Sequence, residues 1–125
     1  MTDLREYASM TRKAAIYRDE VDDLVAEAPI GHVSKMLKIF YATTGLAGEA
    51  GEVANKVKKI LRDCRGVVTE ETRTKLLGEL GGVAWYLVAL TEELGLTIEE
   101  VLEYNYEQIR SRQARGALTG DGDDR

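Results

Sequence analysis

From Leu46 to Ile60, apolar residues recur at alternating steps of four and three: Leu46, Ala50, Val53, Val57 and Ile60. That spacing keeps one face of an α-helix apolar. A second run, Leu76, Leu80, Val83, Leu87, Leu90 and Leu94, follows the same rule. No stretch alternates Val, Ile or Thr with polar residues as a strand would, so the pattern predicts an all-α fold, a helical bundle with four main helices. The first spans about Asp3 to Ala15, and the polar stretch from Arg18 to Glu27 has room for a short extra helix before Pro29 and Gly31. The second runs from near Val33 to about Arg62, ending before Gly66, with His32 in the loop that precedes it. Thr69 caps the third, whose first turn carries Glu70 and Glu71 and which Gly95 stops. Thr97 and Glu100 form a capping box that opens the fourth, which continues to about Arg115. Residues 1–116 are thus expected to form one domain, and residues 117–125 a mobile tail.

Composition narrows the class of protein. A chain of 125 residues, 44% hydrophobic and 31% charged, with one Pro, suits a single folded domain and not a disordered segment. Its net charge of −5 argues against sequence-independent binding to nucleic acid, which needs an excess of Lys and Arg. Neither an 18-residue apolar run nor a signal-peptide core is visible, and Cys64 is the only cysteine. No membrane association and a reducing cytoplasm are therefore expected.

The chemistry lies in a repeat. GEAGEV at 48–53 is echoed by GELGGV at 78–83, and the echo has lost an acid: Glu49 and Glu52 form a Glu-x-x-Glu pair, whereas Glu79 is followed at that offset by Gly82. On a helix, Glu49, Glu52, Lys56 and Lys59 share a row beside the first apolar stripe; Glu79, Gly82 and Tyr86 share a row beside the second. If the stripes pack antiparallel, three carboxylates converge, and a cation is the simplest way to offset their repulsion. Oxygen donors alone suit Mg²⁺, with Mn²⁺ as the alternative. A di-iron bundle would need Glu-x-x-His pairs, and His32, the only histidine, follows no Glu at that spacing. A magnesium ion held by a few carboxylates commonly completes its shell with water and substrate phosphates, pointing to a di- or triphosphate ligand.

Gly48, Gly51, Gly78, Gly81 and Gly82 interrupt these helices at roughly 0.5 to 1 kcal/mol each, which implies close helix contact or room for a ligand. Lys56 and Lys59 read either as phosphate contacts or as partners of surface acids, Glu52 with Lys56 being an i,i+4 pair. Arg110, Arg112 and Arg115 suit either the helix dipole or the gripping of phosphates. Trp85 and Tyr86 are expected in the core or a subunit interface, with stacking on a base as the other reading.

The runs GLAGEAGEVANKVKKILRD (45–63), ELGGVAWYL (79–87) and NYEQIRSRQARG (105–116) together resemble the MazG-like nucleoside triphosphate pyrophosphohydrolases. The resemblance implies an all-α fold, assembly into dimers or tetramers with the active site completed across subunits, and Mg²⁺-dependent hydrolysis of nucleoside triphosphates to monophosphate and pyrophosphate. It assigns Glu49, Glu52 and Glu79 as metal ligands, makes Glu49 or Glu52 the group that positions or deprotonates the attacking water, and sets Asn105 near the site. The family signature has Asp where this chain has Gly82. Loss of that ligand leaves two readings open: a pyrophosphohydrolase with an altered site, or a nucleotide-binding or oligomeric helical protein without turnover.

Overall fold

The computed structural model describes residues 3–117, and among these it contains five α-helices and no strand. The tail expectation for residues 118–125 lies outside them. Helix α1 (Leu4–Ala14) starts where the Asp3 side chain accepts a hydrogen bond from the Arg5 amide at 2.9 Å. Helix α2 (Tyr17–Glu27) occupies the polar stretch that had room for a short helix. Helix α3 (Ile30–Asp63) is 34 residues long and begins earlier than its apolar periodicity suggests. The cause is Pro29, whose carbonyl accepts from the His32 and Val33 amides and so starts the helix ahead of the stripe. His32 therefore stands in the first turn of α3 and not in a loop.

Helices α4 (Glu70–Glu93) and α5 (Ile98–Ala114) both open with capping boxes. In α4 the partner of Thr69 is Thr72; in α5, Thr97 accepts from the Glu100 amide at 3.2 Å and its own amide donates to the Glu100 carboxylate at 2.7 Å. The last three helices also end alike. Gly66, Gly95 and Gly116 adopt φ of +78°, +74° and +67°, and an amide six positions after Ile60 or five after Thr91 and Arg112 turns back to the carbonyl of that residue. Glycine reaches this left-handed conformation without a Cβ penalty, which is why these positions stop the helices.

The chain divides into two compact units, Met1–Leu37 and Lys38–Arg125. In the first, α1 and α2 leave Leu4, Tyr7, Tyr17 and Val25 exposed. In the second, α5 packs on α4, and among the described residues only Ala42, Ile60 and Thr91 are fully buried. Thr91 satisfies its hydroxyl by donating to the Val88 carbonyl at 2.7 Å. The two apolar stripes are only partly covered: Val57 and Leu80 remain about half exposed, and Phe40, Trp85 and Leu102 more so.

Candidate active site

Within the second unit α3 and α4 run antiparallel, and two glycines fix how they meet. A Cβ added to Gly45 would fall inside the ring of Tyr86, so that ring lies directly on the α3 backbone. One turn further along α3, a Cβ added to Gly82 would stand 2.5 Å from the Glu49 carboxylate. In the same antiparallel register Glu79 of α4 is met by Lys56 of α3. Gly48, Gly51, Gly78 and Gly81 have open space beside them, so of the two expectations, close helix contact or room for a ligand, the first is not met at these four. Gly82 alone of the five meets the opposite helix, and Gly45 adds a contact that no repeat signalled.

Tyr86 is anchored on several sides. Its ring lies edge-on to Trp85 with centroids 4.8 Å apart, and 6.3 Å from the Tyr41 ring. Hydrogen bonding with Tyr41 holds the Tyr86 phenol above its ordinary ionisation range, with the charge of Tyr41, desolvation and the charge of Glu49 acting in the same direction. Trp85 is exposed rather than a core residue of the single chain.

The acids have distinct surroundings. Lys56 Nζ lies 2.9 Å from Glu79 Oε1, with only 28% and 24% of the two side chains exposed. The i,i+4 pair of Lys56 with Glu52 does not form, because the lysine reaches across to α4 instead. Glu52 is exposed and makes no hydrogen bond or ion pair among the described residues. Lys59 and Lys56 line a cleft of about 500 Å³ that also takes in Lys75, Thr72, Asp63 and Glu71. Neither Asn105, exposed on α5, nor Arg112, half-buried with its Nε lacking a hydrogen-bond partner, bonds to the three acids.

For a divalent cation the donor set fits in chemistry: three carboxylates, all hard oxygen ligands, on facing helices in register. The side chains as they stand do not close a site, since among the described residues no three acidic, His or Cys groups are grouped closely enough to hold an ion. Glu79 is turned to Lys56 and Glu49 to the space over Gly82.

No helix among the described residues is long and apolar enough to cross a membrane. No solved structure matches the chain. The Gene 37 protein of Mycobacterium phage L5 is 43% identical over 110 residues, which cover 88% of this chain and 96% of that protein. The family described as the MazG nucleotide pyrophosphohydrolase domain matches residues 41–116, a span that holds Glu49, Glu52, Glu79 and the helix register just described. The chain belongs to the MazG nucleotide pyrophosphohydrolase family.

Proposed function

We propose that this protein hydrolyses nucleoside triphosphates to the monophosphate and pyrophosphate, with Mg²⁺ or Mn²⁺ held by Glu49, Glu52 and Glu79. The observation that carries this reading is the antiparallel register of α3 and α4, which sets Glu49 against Gly82 and brings a lysine of the Glu49 row onto Glu79. When bound, a divalent cation would screen the phosphate oxygens and make a water more acidic. The chain's own part is acid–base and positional. A water attacks the α-phosphorus, its proton passes to a carboxylate, and the bond to the bridging oxygen breaks so that pyrophosphate leaves. Glu52 suits the proton acceptor best because no side chain of the protein engages it, so one oxygen is free for the water while the other holds the cation, whereas Glu49 is seated over Gly82. Lys56 and Lys59, both on the cleft wall, would meet the phosphate oxygens, and the family resemblance adds Asn105, with Arg112 as a further cation for the substrate.

The exposed apolar faces of α3, α4 and α5 support assembly with further copies of this chain, as a dimer or tetramer. Phe40, Leu80, Trp85 and Leu102 are too exposed for a self-sufficient three-helix unit.

Pyrophosphate release from a panel of ribo- and deoxyribonucleoside triphosphates, with Mg²⁺ and with Mn²⁺, tests the proposal. Turnover that falls at least a hundredfold in Glu52→Gln is the expected result, the range general bases usually contribute. A second reading, a nucleotide-binding protein without turnover, is favoured by one observation: position 82 supplies no carboxylate. Nucleotide binding without pyrophosphate release would select it.

A further inference from the structure

Five ion pairs are found among the described residues, and four are local: Arg62–Asp63, Arg73–Glu70, Lys75–Glu71 and Arg110–Glu107 join neighbours on one helix, with every side chain at least half exposed. Lys56–Glu79 differs in both respects. It joins α3 to α4, and both partners are mostly covered. Lys56 also shares its row on α3 with Glu49 and Glu52, so its ammonium reaches into the proposed carboxylate group.

We propose that Lys56 is the built-in counter-ion of this group: its ammonium and a divalent cation compete for Glu79, and arrival of the cation releases Lys56 toward the neighbouring cleft. The inference rests on the metal reading given above and adds to it a role for one lysine. The physical reason is charge. Glu79 is mostly covered, and a covered carboxylate is costly without a positive partner. Lys56 supplies one at 2.9 Å. A dication that takes Glu79 as a ligand supplies the same compensation, after which the ammonium is redundant there. Lys56 already lines the 500 Å³ cleft, so a released side chain has a place to go, and there it joins Lys59, which no ion pair engages among the described residues, while Lys75 is held by Glu71. Cation binding would thereby convert Lys56 from a partner of the protein's own carboxylate into a partner for phosphate oxygens, coupling metal and substrate. A fixed structural ion pair would behave differently: the cation would use Glu49 and Glu52 alone, and Lys56 would not affect its affinity.

The test is Mn²⁺ binding to the full chain without nucleotide, followed by the electron paramagnetic resonance of free Mn²⁺ and by the Mn²⁺-induced rise in Tm, for the unaltered protein, Lys56→Gln and Lys56→Arg. Removing the competitor in Lys56→Gln is expected to tighten Mn²⁺ binding by about tenfold, between what exposed and buried ion pairs contribute. Its Tm should respond more strongly to Mn²⁺ than that of the unaltered protein. Lys56→Arg, whose guanidinium can hold a carboxylate through two hydrogen bonds, is expected to weaken Mn²⁺ binding. Equal Kd values in all three proteins, or weaker binding in Lys56→Gln, would overturn the competition while leaving the metal site standing. Absence of Mn²⁺ binding in every form would overturn the metal reading and the competition together. Should Lys56→Gln not fold, Lys56→Arg decides: unchanged Mn²⁺ affinity there refutes the proposal.

Discussion

The carboxylate of Glu49 occupies the space that a side chain at Gly82 would need, with only 2.5 Å between a Cβ at that position and Glu49 Oε2. The missing acid of the second motif copy and the placement of an acid of the first copy are thus one feature. Introducing Asp at position 82 does not simply add a fourth ligand, because it must first move Glu49.

Gly82→Ala separates these effects. The blocked atom is the end of a flexible side chain, so Glu49 can rotate away, and the helix gains roughly 0.5 to 1 kcal/mol from replacing an interior glycine. Thermal unfolding should show Tm unchanged or raised, while Mn²⁺ affinity falls because Glu49 has been displaced. Gly82→Asp adds a charge to the same crowded place. Its Tm without cation should lie below that of Gly82→Ala, and the difference should shrink when Mn²⁺ is added.

Gly45 and Gly48 are one turn apart on α3 and predict opposite outcomes. A methyl at Gly45 meets the Tyr86 ring, which is fixed by Trp85 and Tyr41, so Gly45→Ala should destabilise by about 1 to 3 kcal/mol through overpacking. A methyl at Gly48 meets nothing within 4 Å, and Gly48→Ala should stabilise by roughly 0.5 to 1 kcal/mol. Urea unfolding of both variants measures the contrast. A loss at Gly48 would reveal a second copy packed against that face.

Alkaline pH should loosen the α3–α4 contact. The folded-state pKa of Tyr86 lies above its unfolded value, so its contribution to stability is fully present below the ordinary tyrosine pKa of 10.0 and is lost as pH rises through the higher folded value. The main cause is the hydrogen bond with Tyr41, so Tyr41→Phe should bring tyrosinate absorbance to lower pH and remove part of that alkaline dependence. An unshifted titration would show that the pair does not interact in solution.

Trp85 is the sole tryptophan and is 62% exposed in the single chain, which makes it a reporter of assembly. Sedimentation is expected to give a mass at least twice 13.9 kDa. Dilution to the monomer should shift Trp85 fluorescence to the red as water reaches the indole, and Trp85→Ala should weaken association. A monomer at every concentration, with constant emission, would refute the assembly part of the proposal.

The local signals in the chain were sufficient for the secondary structure because each depends on a few neighbouring residues. Thr97 with Glu100 defines a helix start, Gly66, Gly95 and Gly116 define helix ends, and the four-three stripes define the apolar faces. The start of α3 was displaced in that reading because Pro29 opens the helix before any apolar period begins. The two motif copies likewise assign Glu49 and Glu52 to one helix row and Glu79 to another, since helical periodicity alone decides which side chains share a face. What only tertiary structure decided is how those rows engage. That Lys56 reaches Glu79 and not Glu52, that Gly82 shelters the Glu49 carboxylate, and that Gly45 bears Tyr86 all depend on the register and separation of two helices. Periodicity assigns a residue to a face, but its partner across the interface is set by how the opposing backbones slide and approach, and that is settled by packing at a distance along the chain.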